Sequence, residues 1–120
     1  HPDLATKILD KDDVGVNFKN KHGNTALMLA ISKNQPEIAK QILNRDDVDV
    51  NLQDKNGGTA LMFAIIKKRK AITNKILKIP TINVKLKDNN GNTALMMANQ
   101  LHQTEIADEI RKKANEDDSI

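Results

Sequence analysis

The chain has no cysteine, tryptophan or tyrosine among its 120 residues, and Phe18 and Phe63 are its only aromatics. Without cysteine there is no disulfide framework, no thiol nucleophile and no thiolate-held zinc or iron–sulfur cluster, and the compartment is left open. Without interleaved aromatics there is no platform on which successive bases of a single strand could stack. No apolar run approaches the ~18–20 residues of a membrane-spanning helix, and no signal-peptide pattern opens the chain. Hydrophobic residues make up 38 %, so the core must be thin and aliphatic, built from Ile, Leu, Val, Met and Ala.

Net charge is +3, but it is unevenly spread. Residues 57–90 carry +7, flanked by −1 over residues 1–56 and −3 over 91–120. The densest part of the basic band is Lys67-Lys68-Arg69-Lys70.

What is abundant is self-similarity. Gly23-Asn24-Thr25-Ala26-Leu27-Met28 returns as Gly57-Gly58-Thr59-Ala60-Leu61-Met62 and as Gly91-Asn92-Thr93-Ala94-Leu95-Met96, a period of 34. Residues 23–56 and 57–90 align without gaps at 15 identities, concentrated at apolar, Gly and Thr positions. A fixed period of this length marks a stacked array. Within each period, Gly-x-Thr supplies a turn and then a hydroxyl able to cap a helix, at Thr25, Thr59 and Thr93. The apolar run that follows predicts a buried helix of about two turns. Asn34-Gln35-Pro36 then predicts a tight break, because Asn tolerates a left-handed backbone and Pro suits a first helical position. Ile38, Ala39, Ile42 and Leu43 line one face of a second helix, with Glu37, Lys40 and Gln41 on the other. Asp47 to Asn51 alternates polar and apolar, the pattern of a short extended segment.

This unit of turn, two short helices and an extended loop resembles the ankyrin repeat along the whole chain. The resemblance rests on Gly-x-Thr-x-Leu, on Ala30, Ala64 and Ala98, on the Ile/Leu helix face, and on Asp49-Val50-Asn51 before Asp54. It implies an all-α repeat solenoid of helix–turn–helix units joined by hairpin-type loops. The expected organisation is the second helix and loop of a truncated repeat over 1–22, full repeats over 23–56 and 57–90, and a capping repeat with a polar tail over 91–120. Leu4, Ile8 and Leu9 would be the apolar face of that half repeat, which suggests a longer parent protein. Arg111, standing where Leu43 and Leu77 stand, gives the last repeat a polar outer face.

The chain departs from the family in having Thr-Ala-Leu-Met where ankyrin repeats commonly carry Thr-Pro-Leu-His. Met28, Met62 and Met96 are therefore expected to fill the core, with apolar packing in place of the polar bonds that His makes. Lys85 also replaces the Asn found at positions 17 and 51.

Catalytic and metal chemistry find little support. His22 falls in a hairpin-type turn and His102 at a helix break of another repeat, so they cannot share a site, and neither Ser32 nor Ser119 has a His–Asp partner in register. Asp47-x-Asp49-x-Asn51 and Asp88-x-Asn90-x-Asn92 open like calcium loops, but the positions that should hold Gly and an acid hold Leu52 and Gly58 in one, Thr93 and Asn99 in the other. Turn capping accounts better for these acids and amides. No catalytic residue, metal or cofactor is expected.

Ankyrin arrays bind proteins through a concave face of hairpin tips and first-helix ends. Carried over in register, the resemblance points to Lys21, His22, Asn24, Ser32 and Lys33 in the first full repeat. It points to Lys55, Asn56, Ile66 and Lys67 in the second, and to Asn89, Asn90, Asn92, Gln100 and Leu101 in the third. Ile66 and Leu101 are apolar there and form either a small hot spot or packing against the next helix. The expected function is a monomeric, non-enzymatic protein–protein interaction module. Alternatives are an electrostatic anchor for an anionic membrane or nucleic acid through Lys67, Lys68, Arg69 and Lys70, and a substrate-recruiting part of a larger enzyme. Sixteen lysines, three arginines, 13 Ile and 14 Asn would suit an AT-rich gene, as in many intracellular bacteria and some protozoa, and with it a host-directed effector acting in a host cytosol; a eukaryotic cytosolic scaffold fits the composition nearly as well.

Overall fold

The computed structural model describes residues 15–118. Six helices lie among them: α1 Ala26–Ser32, α2 Pro36–Leu43, α3 Ala60–Ile66, α4 Lys70–Leu77, α5 Ala94–Gln100 and α6 Thr104–Asp118. The first helices α1, α3 and α5 stack in one row, the second helices α2, α4 and α6 in another, and each first helix packs on its own second helix. The described residues contain no strand, only an isolated bridge between Lys87 and Thr93. This is an all-α repeat solenoid. The half repeat expected from Leu4, Ile8 and Leu9 lies outside the described residues.

Each first helix starts and stops for the same reasons. Thr25, Thr59 and Thr93 hold an extended backbone, and their Oγ1 atoms accept from the N–H of Met28, Met62 and Met96 at 3.2, 3.3 and 3.3 Å. At the other end Asn34, Lys68 and His102 adopt left-handed φ of 57°, 60° and 59°. The next N–H then reaches back into the helix, from Gln35 to Ala30 O, Arg69 to Ala64 O and Gln103 to Ala98 O, each at 2.8 Å. This Schellman arrangement satisfies carbonyls that a seven-residue helix would otherwise leave open.

The apolar faces meet in one continuous aliphatic core, from Val16 through Ala30, Ile42, Ile65 and Ile76 to Ile110. Fully burying an Ile or Leu side chain gains about 1.5–3 kcal/mol, and neither row of helices is long enough to do so alone. Side chains of matching register also bond between neighbouring repeats. Asn17 donates to Asp47 O and accepts from Asp49 N–H, and one repeat later Asn51 donates to Thr81 O and accepts from Asn83 N–H. Lys19 donates to Gln53 O, and Gln53 in turn to Lys87 O. Arg69 and Gln103 donate to the carbonyls of Ile31 and Ile65.

Four expectations need correction. The polar tail expected at the end of 91–120 is helical as far as residue 118, the end of α6, because Ala114 extends the stripe Ile106, Ala107, Ile110 onto the core. Arg111–Asp108 at 2.9 Å and Lys112–Glu109 at 3.6 Å run along the same helix. Turns occupy residues 46–47 and 50–51, leaving only 48–49 outside them in the stretch expected to be extended, with Val50 alone fully buried there. Met28 and Met62 do fill the core at 2 % and 1 % exposure, but Met96 is 46 % exposed because no repeat stacks beyond α5 among the described residues. Finally, Met28 is not purely apolar in role: the Thr25 N–H donates to its Sδ at 3.5 Å, closing a reciprocal cap.

Candidate functional site

Three congruent turns build one border of the candidate face. In each, the first residue donates to the carbonyl four positions on: Asn20 to Asn24, Asp54 to Gly58 and Asp88 to Asn92, all at 2.9 Å. The side-chain oxygen of that first residue accepts two further N–H groups, as Asp54 Oδ1 does from Asn56 and Gly58. Asn20 and Asp88 repeat the pattern, which makes turn capping the role of Asp88 and Asp54. Asp49 likewise accepts from Asn51 N–H. Among the described residues no group of three His, Cys, Asp or Glu side chains could hold a metal ion.

The turns stack so closely that at the corners of the first two, Gly23 and Gly57, only glycine fits. A Cβ on Gly57 would lie 2.8 Å from Asn89 N and from Asp88 Cα, and one on Gly23 would lie 2.9 Å from Lys55 N. The neighbouring tips are joined by Asn89, whose N–H donates to Asn56 O at 2.9 Å and whose Nδ2 donates to Lys55 O at 2.8 Å. Asn89 is therefore occupied by the scaffold, a role that its exposed register position did not reveal.

Tight stacking leaves the tip side chains facing solvent. Lys21, His22, Lys55, Asn56, Asn89 and Asn90 are exposed, whereas Asn24 and Asn92 are half-buried. The second border is the row of first-helix ends, where Ser32, Lys33, Ile66, Lys67, Gln100 and Leu101 are all exposed. A seven-residue helix separates the two borders by about 10 Å. Ile66 is 48 % exposed and Leu101 37 %, so neither is absorbed into packing against the next helix. Leu101 also walls a groove of about 470 Å³ with Lys68, His102 and Thr104.

The basic run does not form one patch. Lys67 and Lys68 are exposed, but Arg69 is half-buried with Nε 3.4 Å from Ile31 O. Lys70 pairs with Glu105 at 2.7 Å, and the hydrogen bond it donates holds the Glu105 carboxyl below the usual carboxylate range. Arg69 stands in register with Gln35 and Gln103, which is the signal in the sequence that it serves the stack.

A family model of ankyrin repeats in three copies matches residues 1–54 and 32–119, spanning nearly the whole chain. The chain belongs to the ankyrin-repeat family. Ankyrin repeats are protein–protein interaction modules and are typically non-catalytic. No curated protein matches the chain. No helix of this ankyrin array, among its described residues, is long and apolar enough to cross a membrane. Sequence reasoning did not single out Phe18, 49 % exposed, or the exposure of Met96 as features of the ankyrin surface.

Proposed function

We propose that this ankyrin array binds a protein partner through the face bordered by its turn tips and first-helix ends, anchored on Ile66 and Leu101. The observation that carries the reading is the exposure of two large aliphatic side chains on adjacent rungs, among exposed lysines and amides. An apolar centre with a polar rim is the usual anatomy of a binding hot spot. The engagement of Arg69 and Lys70 by the scaffold speaks against the 67–70 run as a separate anionic anchor. A host-directed role is supported by the Lys-, Ile- and Asn-rich composition.

The test is retention of protein from eukaryotic cytosolic lysate on the immobilised chain at low and high salt, beside the Ile66→Glu variant. A protein held at high salt and lost with the folded variant is the expected result. Unchanged capture by Ile66→Glu removes the face from consideration, and material that binds both forms and elutes with salt returns the choice to the basic band.

A further inference from the structure

The partner's chemistry is written in how the lysines are distributed. Among the described residues five of the six second-helix cations meet acids, Lys75 being the exception: Lys40 lies 3.8 Å from Glu37, Lys70 2.7 Å from Glu105 and Arg111 2.9 Å from Asp108. On the candidate face the pattern is the opposite. Lys21 and Lys55 occupy equivalent turn tips, Lys33 and Lys67 equivalent first-helix ends, and none of the four has a carboxylate partner among the described residues. The acids of the turns themselves, Asp54 and Asp88, are half-buried and accept from backbone N–H groups of their own turns, and Glu37, four residues from Lys33, is paired with Lys40.

Two rungs thus present a two-by-two grid of unpaired ammonium groups, with borders about 10 Å apart and rungs separated by one helix-packing distance of about 8–10 Å. The third rung replaces both lysines, carrying Asn89 and Leu101 at the corresponding positions. Charge therefore ends where the apolar pair Ile66 and Leu101 begins. Like charges held this close repel unless a counter-charge arrives, and the field they create favours an anionic ligand before contact.

We infer that the face takes an acidic protein segment whose carboxylates lie over Lys21, Lys33, Lys55 and Lys67 and whose bulky aliphatic side chain seats on Ile66 and Leu101. This inference rests on the protein-binding reading above and adds the chemical class of the partner and its polarity along the array. A peptide is favoured over nucleic acid because the ligand must supply an aliphatic anchor beside the charge, and Phe18 and Phe63, the chain's two aromatics, make no series on which successive bases could stack.

The test is selection of a random peptide display library on the full chain, followed by titration of a synthetic selected peptide. Enrichment of Asp and Glu around an aliphatic residue is expected. Affinity should fall about tenfold for Lys33→Glu/Lys67→Glu, the summed effect of two exposed rim attractions turned to repulsion. The milder Lys33→Gln/Lys67→Gln pair should give a smaller loss with an unchanged circular dichroism spectrum, and Ile66→Glu should weaken binding independently. Selected peptides that need Ile66 but are neutral or basic overturn the acidic class and leave the protein-binding face standing. A selection with no acidic enrichment overturns it as well. Duplex DNA or phosphatidylserine vesicles bound as tightly as the peptide, and insensitive to Ile66→Glu, overturn both.

Discussion

Glycine at the turn corners shows how one residue type can be needed for two separate reasons. Gly57 and Gly91 share φ values of +81° and +83°, yet a Cβ on Gly57 would strike the next turn and one on Gly91 would meet nothing within 4 Å. Gly91→Ala should therefore cost about 1 kcal/mol, the backbone penalty alone. Gly57→Ala should cost clearly more, read as a larger drop in the urea midpoint, because the backbone of Asp88 and Asn89 has to move. Lys68 gives the converse case: with φ of 60° it carries a Cβ where none is favoured, so Lys68→Gly should stabilise by about 0.5–1 kcal/mol while leaving the fold unchanged by circular dichroism. The methionines separate in the same way. Met62→Ala removes a fully buried side chain and should cost about 2–5 kcal/mol, whereas Met96→Ala, at an exposed position, should stay within about 0.5 kcal/mol.

At the level of elements, α6 differs from the other second helices in length and in its ties. It runs to Asp118 and is joined to α4 by Lys70–Glu105, an exposed pair. Because Glu105 has a lowered pKa in the folded state, its contribution is present above the ordinary carboxylate range and is lost as pH falls through the folded value. Asp47, held down by its hydrogen bond from Arg45, has the same sign. The stability difference between the parent and Lys70→Met should accordingly shrink on acidification from neutral pH toward pH ~3, measured by denaturant unfolding across that range. A constant difference would mean that the pair contributes through packing of the Lys70 stem rather than charge.

For the whole molecule, stability is distributed over rungs and the bonds between them. Asn51 makes two of those bonds, to Thr81 O at 2.9 Å and from Asn83 N–H at 2.8 Å. Asn51→Ala should lose about 1–3 kcal/mol. It should also broaden the unfolding transition, because the second and third rungs are then less strictly coupled. Hydrogen exchange should show the loss concentrated in the loop at 81–83 and in α5 and α6.

The period of 34, the caps at Thr25, Thr59 and Thr93, and the burial of Ala30, Ala64 and Ala98 followed from the sequence alone, because each repeat is folded by local turn chemistry and by apolar spacing that recurs in register. That the turn tips and the first-helix ends form two aligned rows was legible for the same reason, since equivalent positions of a stacked repeat must line up. Only the tertiary structure decided which equivalent residues play equivalent roles. Met96 opens to solvent where Met28 and Met62 close, Asn89 is claimed by the neighbouring turn, Arg69 and Lys70 leave the basic run for the stack, and Ala114 prolongs α6. These outcomes depend on what lies on the next rung or the neighbouring helix, and a contact between chain segments some 30 residues apart is not encoded in either segment by itself.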